Sequence, residues 1–382
     1  MKTISIKTIC IFVLLFPVYL FAQDDFFPER NFLILAEREE LINRTLDRYD
    51  QREFIPQETR EVAIEKTLHD ISVELSLEYV YASKGEQSFE LLNDQGGRVS
   101  KLTYPTKGPM LILKGELGFF SKFFIGGRFA SSDFKKTTNS DEDWGYWGWH
   151  NGEWKYIEYQ ITKQGCESKV EFFDVNLYYR FLDLNEEEVK KLRLSAKEDT
   201  IFDFLLIDSL SLDIFVGYQR YRGRYAMVDP VLEFLRIVDG TRWQAEGLPV
   251  DVGLNSPYKI YYDGPRLGLR AKGSKGKITS QLSLAFCVGL KTKAYGYWNS
   301  RDLSFWQKGT NGYGLDFGCE ITYPFTSFFS AGLGYNFLYF KQKKLKMYAE
   351  QKGVPWWEGF QDRIRNAISE IQCPSVIFKY IW

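Results

Sequence analysis

Only two imidazoles are available as a general base in this 382-residue chain, those of His69 and His150. Imidazole is the side chain best suited to accept a proton near neutral pH. The sequence holds no metal-ligand spacing, no phosphate-binding loop and no Ser-His-Asp pattern, so it predicts no metal site and no cofactor. We expect His69 to precede the first strand and His150 to be a solvated loop residue.

Tryptophan is the residue type with the most uneven placement. Nine of the ten tryptophans fall in or beside the connections between predicted strands, and only Trp382 does not. Two interpretations stay open: an interfacial girdle with packing of a loop-capped mouth, or a binding surface whose rigid rings stack on sugars or peptides. The candidate binding residues are Trp144, Trp147, Trp149, Trp154, Trp356 and Trp357.

The last nine residues, 374–382, alternate in the manner of a membrane strand. Val376, Phe378 and Trp382 share one parity, and Lys379 lies on the other. Closing strands of bacterial outer-membrane barrels end on an aromatic residue in this way. Because hydrocarbon offers backbone groups no partner, such a strand implies a closed barrel with no free edge.

The N-terminus predicts a secretory signal. Lys2 and Lys7 precede an apolar run that is too short to span a bilayer, and we predict cleavage near Ala22. A mean hydropathy of −0.30 and 26% charged residues leave no later helical span. Losing the two lysines changes the net charge from −1 to −3, and this near-neutral balance argues against a nucleic-acid partner.

Ten period-two segments predict an all-β fold, a ten-stranded antiparallel transmembrane β-barrel with short periplasmic helical segments. The gaps between segments alternate between short and long, except that the link after the fourth segment, at 182–208, is also long. This places both termini on the periplasmic side and the long connections outside the cell. The strands are predicted at residues 72–83, 110–119, 123–133, 168–181, 209–221, 258–271, 277–294, 312–323, 327–340 and 374–382.

The predicted organisation is a signal peptide at 1–22, a partly helical periplasmic extension at 23–70 and the barrel at 71–382. Residues 32–49 and 185–194 have helical patterns, the second within a periplasmic insert at 182–208. The extension is interpreted as a cover of the lower mouth, with plugging or partner binding as the alternative. The extracellular loops are predicted at 84–109, 134–167, 222–257, 295–311 and 341–370.

The inward parity of the strands carries charges of both signs. In a ten-stranded barrel, well below the size of open porins, mixed charge predicts a paired network and a largely closed lumen. The inward charged residues are predicted to be Glu74, Glu78, Lys114, Glu116, Arg128, Asp174, Arg180, Asp213, Arg266, Arg270, Asp316, Glu320 and Lys379.

Four cysteines remain after the signal is removed. Parity places Cys287 toward the lumen and Cys319 toward lipid, so these two cannot be bridged. Cys166 and Cys373 both lie near predicted outer strand ends. They are candidates for a disulfide in an oxidising compartment.

The strand number, the five long outer loops and several local patterns resemble the omptin family of outer-membrane proteases and its non-proteolytic relatives. The resemblance covers residues 70–382. Its suggestive segments are Gly-Gly-Arg-Phe-Ala-Ser-Ser-Asp-Phe at 126–134, Tyr-Tyr-Asp-Gly-Pro-Arg-Leu-Gly-Leu at 261–269 and Tyr-Gly-Tyr-Trp-Asn-Ser-Arg-Asp-Leu-Ser-Phe at 295–305.

The resemblance implies a water held between an Asp-x-Asp pair and an Asp-x-His pair, but each pair is reduced to one acid here. Asp133 fits the first pair, with Ser131 and Lys135 two residues away. Asp302 fits the second, and the imidazole position is Ser304. These two aspartates are the catalytic candidates, and we predict no omptin-type proteolysis.

These observations favour a bacterial outer-membrane barrel that acts as a surface binding, adhesion or structural protein through its Trp-rich loops. The alternative is an omptin-type aspartic endopeptidase with an altered active site, and a narrow porin is the third possibility. The predicted partners are outer-membrane lipid, the barrel-assembly machinery through the C-terminal strand, and an extracellular ligand or host surface.

Overall fold

The structure is a computed structural model that describes residues 71–150, 153–195, 207–237, 242–243, 248–249, 255–299, 302–355 and 359–382. At several of these positions, including 133, 146–150 and 153–155, only the backbone is described. The predicted signal peptide, the predicted helix at 32–49 and His69 lie outside the described residues. Among the described helical residues, none form a segment long and apolar enough to cross a membrane.

Ten long strands are wound antiparallel around one axis. They are β1 (Ile71–Ala82), β4 (Gly108–Phe119), β5 (Phe123–His150), β6 (Glu153–Leu184), β7 (Ser209–Ile237), β10 (Asn255–Lys275), β11 (Ile278–Trp298), β12 (Leu303–Pro324), β13 (Phe329–Gln351) and β15 (Gln361–Ile381). The remaining elements are β2 (Lys84–Leu92), β3 (Arg98–Pro105), α1 (Glu186–Ser195), β8 (Arg242–Trp243), β9 (Leu248–Pro249) and β14 (Val354–Pro355).

The ten long strands close into a ring. Each pairs with the next in the order β1-β4-β5-β6-β7-β10-β11-β12-β13-β15. At the seam β15 pairs with β1, from Glu74 opposite Ile381 to Val80 opposite Ser375. Because the ring is closed, the backbone N–H and C=O groups of all ten strands have partners within the protein at the height of this seam, as is necessary in hydrocarbon. The predicted ten-stranded fold is confirmed.

The end of the ring that holds Trp382 and the short turns is called the lower end below, and the opposite end is the upper end. At the lower end, helix α1 begins with a capping box, in which the backbone N–H of Glu188 donates to the Asn185 side chain and that of Asn185 donates to Glu188 Oε2. A helix was predicted at this place, and the structure contains it.

A belt of exposed apolar side chains surrounds the lower half of the ring. It marks the height at which the strands face hydrocarbon, because apolar area of this extent is not left in water. Leu333 is 68% exposed and Val288 is 62% exposed. Other members are Leu75, Leu77, Tyr79, Leu111, Leu113, Phe123, Leu177, Tyr179, Val216, Leu267, Leu269, Phe286, Tyr313, Ile321, Phe329, Val376, Phe378 and Trp382.

The strands run well above this belt, which differs from the predicted strand ends. Strand β6 has 32 residues, whereas a tilted membrane strand needs about 9–11. Most of the segments assigned to the loops at 134–167 and 222–257 are therefore strand. The period-two alternation continues there with polar side chains outward, as in the contact between Lys163 and Glu233 on neighbouring strands.

The predicted loop at 84–109 is largely a hairpin that continues the wall. Strand β2 pairs with β15 and strand β3 pairs with β5, while β2 and β3 pair with each other. Together they take the place of β1 and β4 above Ala82 and Gly108. The upper half of the ring is therefore also closed by strands.

Candidate functional site

Charged side chains fill the lower interior in pairs. Arg266 donates to Asp174 at 2.7 Å and to Asp316 at 2.6 Å. Arg128 contacts the same two carboxylates. Each guanidinium is thus shared between two acids, and this pairing is what allows charges to be buried.

A second group lies beside the first. Arg270 and Arg180 share Asp213, at 2.6 Å and 2.9 Å. Arg270 also contacts Glu116, which accepts a hydrogen bond from Lys272 Nζ at 3.1 Å. Lys272 is not among the predicted inward charges, because the predicted strand ends at residue 271 and places Lys272 in the turn that follows, whereas strand β10 extends to Lys275.

Two lysines hold the third group. Lys379 contacts Glu74 at 3.1 Å and also contacts Glu320. Lys114 lies 3.5 Å from the same Glu320 and also contacts Glu78. The described network has seven acids and seven bases, so it carries no net charge and gives no preference for cations or anions. Its paired character, predicted from the sequence, is confirmed. The members are Glu74, Glu78, Glu116, Asp174, Asp213, Asp316, Glu320, Lys114, Arg128, Arg180, Arg266, Arg270, Lys272 and Lys379.

A cavity of about 80 Å³ lies within this network. Besides the charged side chains it is bordered by Gly126, where a Cβ would lie 3.3 Å from the Tyr178 ring and 3.5 Å from the Glu116 carboxylate. At roughly 10–15 Å³ for each water, it has room for about five to eight water molecules. It is a small polar pocket rather than a channel.

Aromatic rings fill the interior above the charges. Tyr104 on β3 stacks on Tyr258 of β10, with ring centroids 5.3 Å apart, and lies 4.8 Å from Tyr225 on β7. Phe340 on β13 meets Tyr262 at 5.7 Å. All five rings are at most 2% exposed. Since strands from opposite walls contribute them, the described part of the interior is closed at this height.

The four described cysteines are free thiols. Cys166 and Cys373 are both buried among this aromatic layer, but no disulfide joins them, and the candidate bridge is absent from the structure. Burial raises the pKa of the Cys166 thiol, although hydrogen bonds from its neighbours oppose the shift. Cys287 is buried inside the ring, and Cys319 lies on the opposite parity, as predicted.

The catalytic candidates stand on opposite walls. Asp133 belongs to β5, and Asp302 directly precedes β12, five strands away in either direction around the ring. Asp302 is exposed with φ 48°, and its carboxylate accepts a hydrogen bond from the Tyr297 hydroxyl at 3.0 Å. The two aspartates also differ in height on the ring. The successive cross-strand partners of Asp133 meet β12 at Trp306, four residues after Asp302. The intervening partners are Lys169, Arg224, Lys259 and Tyr295.

His150 ends strand β5, opposite Glu153 at the tip of the β5–β6 hairpin. It is seventeen residues along the strand from Asp133. For Asp133 and His150 the structure describes the backbone and not the side chain. The described residues also hold no group of three or more potential metal ligands.

Trp144, a predicted binding residue, lies on the outer wall of the upper ring. The Arg98 guanidinium lies 3.9 Å from its ring centroid, and Tyr159 packs on it at 5.4 Å. Partial burial and a 3.0 Å hydrogen bond to Glu142 raise the pKa of Tyr159 to about 12. Tyr159 also meets Phe234 at 5.8 Å. The cluster spans four strands.

The other predicted tryptophans are less fully described. Trp147 is opposite Tyr156, and Trp149 is opposite Trp154, along the upper part of the β5–β6 hairpin. Their backbones are therefore strand rather than loop. Trp356 and Trp357 lie outside the described residues.

Sequence reasoning missed a row of lysines on the outer wall. Lys293 on β11, Lys308 on β12 and Lys346 on β13 are direct cross-strand partners, and all three are exposed. We call them the lysine row. Asp362 stands opposite Lys346 at one end. Alternation shows that each lysine points outward, but only the register between strands brings the three together.

A row of aromatic side chains lies directly above. Tyr295, Trp306 and Tyr348 are cross-strand partners with ring centroids 5.6 Å and 5.5 Å apart, and Phe360 continues the row at 5.8 Å from Tyr348. We call these four residues the ring row. Lys308 joins the two rows, since its Nζ lies 3.7 Å from the Phe360 ring centroid.

Comparison with known proteins supports the fold and leaves the activity open. No family model matches the chain, and no curated protein matches it. The solved structure of the outer membrane protease OmpT from Escherichia coli is 13% identical, covers 82% of this chain and 97% of that chain, and has a TM-score of 0.60. This confirms the predicted omptin-like fold, and at this identity it shows the fold alone.

Two further solved structures overlap less closely. The translocator domain of the autotransporter NalP from Neisseria meningitidis is 9% identical over 85% of this chain and 95% of that chain, with a TM-score of 0.31. A FadL homologue from Pseudomonas aeruginosa is 9% identical, covers 81% of this chain and 90% of that chain, and has a TM-score of 0.23. At these TM-scores the two structures support no conclusion about the fold or function of this chain.

Proposed function

We propose that this protein is a closed outer-membrane barrel that serves as a rigid scaffold for binding at the bacterial surface. The observation that carries the proposal is the filled interior. Paired charges occupy the lower half and buried aromatic rings the upper half, so solute passage has no described path. The chain instead extends its outer wall far above the apolar belt.

The apolar belt and the short turns at the lower end support the proposed location and orientation. The apolar belt faces outer-membrane lipid, the lower end with its short turns faces the periplasm, and the upper end with the Trp-rich hairpin faces outward. The barrel-assembly machinery engages strand β15, which pairs with β1 at the seam of the ring. Aromatic side chains such as Trp144, held on paired strands, are suited to recognition because little conformational entropy is lost on binding.

Conductance tests the closed scaffold. Purified protein in planar lipid bilayers is expected to show no stable conductance, because the aromatic layer closes the ring. A large, stable single-channel conductance in most insertions would contradict the proposal and favour the narrow porin.

Cell-surface binding tests the scaffold's role. Bacteria that display the wild-type chain are compared with bacteria that display a variant in which residues 144–159 are replaced by a short Gly-Ser linker. Both are applied to arrays of immobilised glycans and peptides. We expect retention of the wild-type cells and reduced retention of the variant, and equal behaviour on every surface would contradict the proposal.

A further inference from the structure

The lysine row is an electrostatically unfavourable arrangement for the protein alone. Neighbouring strands are about 4.8 Å apart, and like charges directly opposite one another destabilise a sheet. Neither Lys293 nor Lys346 forms an ion pair with any residue that the structure describes. The repulsion within such a row falls when an anion binds to it.

On another part of the outer wall, outward basic side chains are paired with an acid. On β6 and β7 the basic side chains gather around Glu171, with Lys169 at 3.0 Å, Arg222 at 3.5 Å and Arg224 at 3.7 Å. There each outward cation has an acid within the protein. In the lysine row only Lys346 has an acid as its cross-strand neighbour, Asp362 at the β15 end, and Lys293 and Lys308 have none.

The position of the rows excludes hydrocarbon as their environment. Tyr313 is the uppermost ring of the apolar belt on β12, and Lys308 lies five residues further up the strand. At about 3.3 Å per residue and a tilt of about 40°, this is roughly 13 Å above the belt. Both rows therefore face the aqueous side.

The backbone hydrogen-bonding groups of the strands on this wall are already paired within the sheet. Strands β11, β12 and β13 are each paired on both sides, so an extended peptide cannot add to them as a further strand. A ligand here is recognised by side chains alone. The surface offers a line of ammonium groups and, parallel to it, a line of half-buried aromatic rings.

From this geometry we propose that the lysine row and the ring row form a binding site for an acidic polysaccharide. The carboxylates of its successive sugars pair with the three lysines, and the C–H faces of its pyranose rings pack on Tyr295, Trp306 and Tyr348. Neighbouring rings are tilted by 52° and 41°, which suits separate sugar contacts better than a continuous stack of planar bases. This inference rests on the proposed surface-binding function and names its ligand class.

The test uses the full refolded chain in detergent micelles and polygalacturonate, a chain of uronic acid pyranoses, with neutral dextran as the uncharged comparison. The variants are the triple change Lys293→Gln, Lys308→Gln and Lys346→Gln, and the single change Trp306→Leu. A control triple, Lys122→Gln, Lys191→Gln and Lys277→Gln, removes the same charge from exposed positions at the lower end. Heat-modifiable electrophoretic mobility confirms that each variant is folded.

We expect wild-type protein and the control triple to bind polygalacturonate equally and to ignore dextran. The lysine-row triple should bind at least ten-fold more weakly and with a smaller dependence on salt, since fewer counterions are released. Trp306→Leu should also bind about ten-fold more weakly, but with the wild-type salt dependence, because its contact is uncharged.

Three results would overturn the inference: equal binding by the lysine-row triple and the wild type, no wild-type binding to polygalacturonate, or preferential wild-type binding to phosphatidylglycerol vesicles or single-stranded DNA. If cells still show hairpin-dependent retention on the arrays, only this inference fails. If that retention is also absent, the proposed function fails with it.

Discussion

Single guanidinium groups hold the lower interior together. Arg266 is 6% exposed and lies between two carboxylates that are 1% and 3% exposed, those of Asp174 and Asp316. A charge in this position is tolerated only because each partner compensates the other. Removing one member leaves a surplus of charge in a buried position.

We therefore expect Arg266→Met to destabilise the barrel by about 3 kcal/mol, near the lower end of the range for breaking a buried pair, because Arg128 still contacts both acids. Urea unfolding of the refolded protein measures the change. Lys163→Met is the matched control, since its pair with Glu233 is exposed and should contribute little. Equal stability of the two variants would show that the network is not the main support of the interior.

Tyr159 gives a pH-dependent signal on the outer wall. Its pKa is raised to about 12 by partial burial and by the hydrogen bond to Glu142, compared with about 10 in an unfolded chain. Because the folded pKa is the higher one, this contribution to stability is complete below pH 10 and is lost as the pH rises through 12.

The ultraviolet absorbance difference between wild type and Tyr159→Phe should therefore titrate near pH 12. In a Glu142→Gln background we expect the midpoint to move toward 10, because the carboxylate no longer favours the protonated phenol. A wild-type midpoint already near 10 would contradict the geometry of this pair.

Among the elements, the β2–β3 hairpin has a role that its sequence did not reveal. It was predicted as a loop, yet it carries Phe89 and Tyr104 into the aromatic layer, where they are 3% and 0% exposed. The Ser168 hydroxyl donates to the carbonyl oxygen of Pro105 at 3.0 Å, and Cys166 Sγ lies 3.4 Å from the same hydroxyl. The hairpin therefore covers this thiol.

Replacing residues 86–104 with a short Gly-Ser linker should expose Cys166. We expect its reaction with a maleimide reagent to accelerate at least ten-fold, measured as the labelling that disappears in a Cys166→Ser background. A variant that changes only the turn at 93–97 should react at the wild-type rate. Similar rates for the long and short replacements would mean that the hairpin does not cover the core.

On the scale of the whole molecule, the same strands pass from lipid to water without changing their pairing. Leu177 on β6 lies in the apolar belt and is 51% exposed, whereas Thr138 on β5 lies in the polar upper wall and is also exposed. Both point outward. The difference between them is the solvent, not the sheet.

Leu177→Arg should cost about 2–4 kcal/mol when unfolding is measured in phospholipid vesicles, because it places a charge near the middle of the hydrocarbon. Thr138→Arg, at an outward position above the belt, should change stability little. If both substitutions had the same effect, the belt would not mark the membrane.

Features that depend on one strand at a time can be predicted from the sequence. Side-chain parity is a local property of extended backbone, so it correctly predicted inward charges such as Arg266 and Asp174 and outward apolar residues such as Val376. The number of period-two segments gave the ten strands. It misplaced the strand ends, because alternation does not stop where the lipid stops.

Arrangements that depend on register and closure are visible only in the folded ring. Lys293, Lys308 and Lys346 are far apart in the chain and form a row only because β11, β12 and β13 pair in one register. In the same way, closure of the ring directs rings from separate strands into one aromatic layer. These arrangements are long-range consequences of strand pairing around a closed ring, which no local pattern in the sequence records.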